Sequence, residues 1–233
     1  MPKVAVVAVA VLAAVALGIG AAFLALSGQH TAPAPLALGA SPSSPAAATS
    51  GLAGTWTVDQ GSVAGYRVKE RFVGQSSDAE AVARTSAVTG RMTLAASGGG
   101  LQVQAASFSA DLRQLKSEDA NATHGNAVRD SFVGRIYLES AVFPMATYQA
   151  RFGALPAVAA PADLSLPGTF TVHGVTHDVT IPIKVTRNGD RLEVVASFPL
   201  HYGDYKIDVP AVPFTTAAAD AIIEVQLFLK RDG

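Results

Sequence analysis

Two histidines four residues apart, His173 and His177, are the first residues in this chain whose spacing suggests chemistry. On a helix that spacing puts both rings on one face, where they can ligate zinc. The residues around them argue otherwise. Phe170-Thr171-Val172-His173-Gly174-Val175-Thr176-His177-Asp178-Val179 is rich in β-branched side chains and alternates apolar with polar residues on either side of Gly174. Such a pattern makes two strands joined by a tight turn. No Glu follows His173 as a zincin needs, and the chain has no cysteine for a thiolate site. The expectation is that His173 sits at the turn and bonds backbone, that His177 projects from the next strand, and that no metal or other cofactor is held.

Other chemistries fare no better. His124, the serines and the aspartates are not organised around a Gly-x-Ser-x-Gly elbow. Gly98-Gly99-Gly100 lacks the Lys-Ser/Thr and the following helix of a phosphate loop. Glu118-Asp119 lies on a polar stretch and reads as solvated surface. Arg129 and Asp130 flank or begin a short helix. Asp130 suits its first turn, where a carboxylate contributes about 0.5–2 kcal/mol. Arg129 is the candidate for contacting a polar ligand head, because its planar fork suits oxygen anions. The expectation is a binding protein, not an enzyme. A formal net charge of -1 gives no basic patch for nucleic acid.

The elements that would position these residues are strands. Val4 to Leu26 carries no charge, and roughly 20 apolar residues cross a bilayer. Residues 1–28 therefore read as a transmembrane signal anchor, with a cleaved signal peptide as the alternative. Residues 29–51 are Ala, Pro, Ser and Thr with little to bury, which predicts a disordered linker. A barrel domain is expected over 52–233. Within it, Trp56 and Val58, then Ala64, Tyr66 and Val68, then Val88, Met92 and Leu94, alternate with polar residues. Leu101, Val103 and Ala105 are followed, one residue out of phase, by Phe108, Ala110 and Leu112, which predicts a bulge. Val128, Phe132 and Ile136, spaced by four, predict one short amphipathic helix. Further alternation runs through 146–152, 170–185, 192–200 and 223–229.

The fold class that results is all-β: an extended antiparallel barrel of about eight strands with one short helix, preceded by the N-terminal transmembrane helix. Its apolar lining is expected from Tyr66, Val68, Met92, Phe108 and Tyr148. Ala150, Phe152, Phe170, Val172 and Phe198 complete that set. Small residues at other inward positions leave room for a slender chain, although a filled core fits the alternation equally well.

Three stretches resemble the YceI-like, polyisoprenoid-binding family. They are Trp56-Thr57-Val58-Asp59 with Ser62, Val63 and Tyr66; Arg129-Asp130 through Tyr137-Leu138-Glu139, Phe143-Pro144 and Ala146-Thr147-Tyr148; and Gly168 to Val179. Phe132 stands where the family commonly has His, and Val142 where Lys is common. The resemblance implies a lipocalin-like tube and an isoprenoid lipid ligand of polyprenyl or quinone type. With the apolar N-terminus it implies a single-pass cell-membrane protein whose C-terminal domain is extracytoplasmic. A solid barrel serving as a structural or interaction module is the alternative. Nothing in the sequence specifies a subunit count.

Overall fold

The computed structural model describes residues 32–39, 52–74, 76, 78–97, 100–118, 123–150, 153–155, 162–209 and 215–232. Residues 1–28, expected to form the anchor, lie outside these. Among the described residues no helix is long and apolar enough to cross a bilayer.

Eight antiparallel strands close a ring. In spatial order they are β1 (Gly54–Val58), β4 (Val88–Ser97), β5 (Gly100–Asp111), β7 (Met145–Ala150), β9 (Ala162–Val172), β10 (Val175–Asn188), β11 (Arg191–His201) and β13 (Asp220–Arg231). β13 pairs back onto β1 through Trp56 with Arg231 and Val58 with Leu229. β2 (Val63–Phe72), β3 (Ala79–Thr85) and the two-residue β6 (Lys116–Ser117) extend the sheet from the other half of β13. Short β8 (Gly153–Leu155) and β12 (Thr215–Ala217) pair with β5 and β2. Among the described residues there is one α-helix, α1 (Thr123–Phe132), which continues into a π-helical turn, Val133–Tyr137. It sits at the end that carries the β9–β10 and β2–β3 turns. We refer to that end as the lid end, and to the end with the β10–β11 turn as the base.

Local chemistry sets the register. Between β9 and β10, Val172 faces Val175 across a two-residue turn whose central residues, His173 and Gly174, both have positive φ (51° and 73°). That backbone matches the right-handed twist of a hairpin and favours glycine. The phase slip expected in β5 is a bulge. Thr93 faces Ala105 and Leu94 faces Val103, leaving Gln104 as the extra residue. The slip comes one residue earlier than the alternation suggested, so Ala105 is exposed and Ala106 is buried in its place.

One strand and one strap depart from expectation. β3 was not visible as a strand, because Ala81 to Thr85 are all buried and no wet face marks the alternation. A strap covers its outer face, while Ala81 packs with Val68 and Ala221 on the other. Residues 32–39, within the stretch expected to be a disordered linker, lie along the outer wall over β3, β2, β13 and β11. Arg67 and Arg84 donate to the Pro33 and Ala34 carbonyls at 2.7 and 3.0 Å. Gln226 donates to the Ala37 carbonyl, and the Gly39 amide donates to Glu193. Under the strap, Glu224 bridges Arg67 (3.3 Å) and Arg84 (2.9 Å), with Glu80 and Glu118 at the rim. The strap binds through backbone carbonyls and prolines pre-set in an extended form, so it needs no large apolar side chain to be ordered.

Candidate ligand-binding cavity

The barrel is hollow toward the lid and solid toward the base. Trp56, Met92, Leu94, Val103, Leu192 and Leu229 are all buried and fill the base. The Trp56 indole N–H donates to the Leu52 carbonyl at 2.9 Å, which satisfies its polar atom inside that plug. Above the plug is a cavity of about 200 Å³. An apolar void of ~150 Å³ already admits benzene.

Seven of the ten expected lining residues reach the cavity: Tyr66, Val68, Phe108, Tyr148, Phe170, Val172 and Phe198. Phe170 and Phe198 meet edge to face at 5.5 Å. The Tyr148 ring lies over Gly168, where a Cβ would come within 2.7 Å of it, and the Tyr148 hydroxyl donates to the Leu166 carbonyl. Two expectations are corrected. Met92 belongs to the plug, paired with Trp56 across β1 and β4, and Ala150 pairs with Ala106 and Gly168 outside the lining. Both have the right strand phase but sit too far toward the base. Phe152 lies outside the described residues. Other lining residues, Ile181, Ile183, Ile223, Val225 and Leu227, were legible as inward alternates. Tyr202, Val133 and Leu138 were not, because they come from helical turns without a strand period.

The helix turns a different face inward from the one its spacing suggested. Phe132 and Ile136 are 41% and 47% exposed, while Arg129, Val133 and Tyr137 line the cavity. Asp130 is in the last turn of α1, not the first. It accepts from the Ser117 amide and hydroxyl (2.9 and 2.6 Å) and so staples the helix to β6. Arg129, from α1, lines the cavity. It donates to Ser117 Oγ and Asn126 Oδ1, and it lies 4.0 Å from Glu70, the other charged residue in the lining.

The histidines behave as turn residues. His173 donates from Nδ1 to the Tyr205 carbonyl (3.2 Å), and its Nε2 meets Glu139 at 3.0 Å. His177 projects from β10 and donates to the Asp204 carbonyl.

Burial raises the phenol pKa of every tyrosine in the chain. Tyr66 and Tyr202 are pushed up strongly, Tyr148 is pushed up to about 12, and Tyr137 and Tyr205 are raised. In each case removal from water is the leading cause, with neighbouring carboxylates adding to it for all but Tyr148; the Arg129 charge opposes it at Tyr66. An unfolded tyrosine ionises near pH ~10. The folded state holds these protons more tightly, so their contribution to stability is complete below about pH 10 and is lost as pH rises toward the folded values. Tyrosinate absorbance should therefore rise in one steep step, well above pH ~10, together with loss of the far-ultraviolet circular dichroism signal. Five gradual titrations near pH ~10 in a protein that stays folded would contradict this.

A closed eight-stranded antiparallel ring, solid at one end, hollow and apolar at the other and covered there by a helix, defines a β-barrel with the form of a ligand-holding cavity. The YceI-like domain model matches residues 56–229, and the chain belongs to that family. Among solved structures the chain is similar to a polyisoprenoid binding domain from Saccharophagus degradans implicated in plant cell wall breakdown. The match has 15% identity and a TM-score of 0.56 over 77% of this chain and 99% of that one. It is also similar to Burkholderia cenocepacia BcnA, with 14% identity and a TM-score of 0.49 over 71% of this chain and 95% of that one. The Campylobacter jejuni YceI protein matches at 10% identity and a TM-score of 0.44 over 70% of this chain and 85% of that one. No curated protein matches the chain.

Proposed function

We propose that this protein is a membrane-tethered, extracytoplasmic carrier or store that holds an isoprenoid lipid of polyprenyl or quinone type, without covalent chemistry. The observation that carries the reading is the cavity, apolar along its walls with its two charged residues, Arg129 and Glu70, beneath the lid. A chain burying about 300 Å² there would gain roughly 7 kcal/mol from removal of apolar surface from water. Phenols kept neutral by burial stand beside the charged pair. Tyr66, Tyr137 and Tyr202 can donate to a carbonyl or hydroxyl oxygen on the lipid head. Family membership and the polyisoprenoid ligand named for the Saccharophagus domain support the ligand class. The tether rests on the uncharged run from Val4 to Leu26.

The test is native mass spectrometry, followed by lipid extraction, on the exported chain from residue 29 onward, which keeps the strap. A stoichiometric isoprenoid is expected. If neither the purified protein nor protein mixed with quinones and polyprenyl lipids carries one, the barrel is an interaction module and the proposal is wrong.

A further inference from the structure

We infer that the lid end of the barrel docks directly on the lipid bilayer, with the strap fixing that orientation. The inference rests on the tethered reading of the N-terminus. Its first observation is where apolar side chains meet solvent. Among the described residues five large ones stand out: Val73, Phe132, Ile136, Val142 and, on the β13 wall, Ile222. The first four lie at the lid end. Phe132 and Ile136 are on successive turns of the segment that roofs the cavity, and Val142 follows in the loop closed by its hydrogen bond to the Glu139 carbonyl. Val73 is at the β2–β3 turn, beyond Phe72.

The second observation is independent and concerns chain length. A free linker over 29–51 would let the barrel tumble at tens of ångströms from the membrane. The strap removes that freedom, because residues 33 and 34 are bonded to Arg67 and Arg84. From there the strap descends along the wall to Glu193, toward the base. The N-terminal end of the described strap, at Pro33 and Ala34, is thus its end nearer the lid. Only Ser27 to Thr31 separate Leu26 from the strap, a reach of at most about 18 Å. Arg67 is five residues below the end of β2, about 17 Å along the strand. A leash of that length brings the lid end to the bilayer surface and keeps the base away from it. The partner's chemistry follows from the side chains: apolar groups from a lid whose inner face lines the lipid cavity, suited to the acyl boundary. Phe132 packs edge to face on Tyr137, a cavity-lining residue, at 5.8 Å. Docking would thus bear on the roof under which the ligand lies.

The chain has no cysteine, so single-cysteine variants give unambiguous labels. The full chain carrying Ile136→Cys, Val142→Cys or, at the base, Asp190→Cys is labelled with an environment-sensitive fluorophore. It is then reconstituted into phosphatidylcholine vesicles containing nitroxide lipids. All three positions are exposed, so folding is preserved. Quenching at Ile136 and Val142 should exceed that at Asp190 by at least about threefold, since interfacial apolar groups sit ~5–10 Å into the boundary. Equal quenching at the two ends, in chain that floats with the vesicles, overturns the docking and leaves the tether standing. Emission that shifts with protein concentration instead of with nitroxide assigns the face to a second copy and also overturns it. Chain that does not float refutes the tether, and the docking with it.

Discussion

Replacing Glu224 with Ala should destabilise the barrel by about 3–5 kcal/mol, the cost of leaving buried charges without their partner. For a domain of this size that corresponds to a fall in Tm of about 6–20 °C. Glu224 is 2% exposed and is the bridge between two arginines that are themselves buried. Without it Arg67 and Arg84 face each other beneath the strap with only the half-exposed Glu80 and Glu118 to balance them. A concerted change, Arg67→Met with Glu224→Leu and Arg84→Met, should recover most of that loss, because an apolar trio removes the desolvation cost along with the charges. It should not recover the strap, whose Pro33 and Ala34 carbonyls would lose their donors. Thermal unfolding reads the first effect and limited proteolysis within 32–39 reads the second. A Glu224→Ala protein as stable as wild type would show that the cluster is solvated in solution.

Ala196→Phe is expected to abolish lipid occupancy, by at least about tenfold, equivalent to ~1.4 kcal/mol of binding. Ala196 is a buried β11 residue in the cavity wall, two positions from Phe198 and facing Ile183 on β10. A ring added there enters open space, so the fold should lose no more than about 1–3 kcal/mol. Ala150→Phe is the matched control. Ala150 packs against the core outside the cavity lining, so its change should lower stability while occupancy per folded molecule is kept. Lipid extraction from both variants, normalised to the folded fraction, checks the pair. Full occupancy in Ala196→Phe would mean that the ligand lies elsewhere.

The ring was legible in the sequence because most of its strands have one wet face and one dry face. From Phe170 to Val185 and from Ile223 to Leu229 the alternation named both the strands and their inward residues. It failed where a second layer covers the outside. The strap and the Arg67–Glu224–Arg84 cluster cover the outer face of β3, and Ala81 and Ala83 are buried on the other beside Val68 and Tyr66, so its residues show no period. Alternation also says which way a side chain points and nothing about height along the barrel. Met92 and Ala150 therefore counted as lining although they lie outside the cavity, with Met92 in the plug. On α1 the apolar spacing marked the outer, exposed stripe, because the inner stripe includes Arg129, whose charge is met by Glu70. The strap had no legible signal at all. It bonds through main-chain groups, the Pro33, Ala34 and Ala37 carbonyls and the Gly39 amide, which every sequence possesses.

The ring closes by pairing one of the first strands described with the last, Trp56 against Arg231. Contacts so distant along the chain carry a large entropic cost before they reward it, and they slow folding. No partial barrel made from the earlier strands can be sealed, since each lacks the β13 edge that holds both β1 and β2. A growing chain therefore remains open until β13 has been synthesised. That delay makes the β13 edge the place where premature release would leave sticky, unpaired strands.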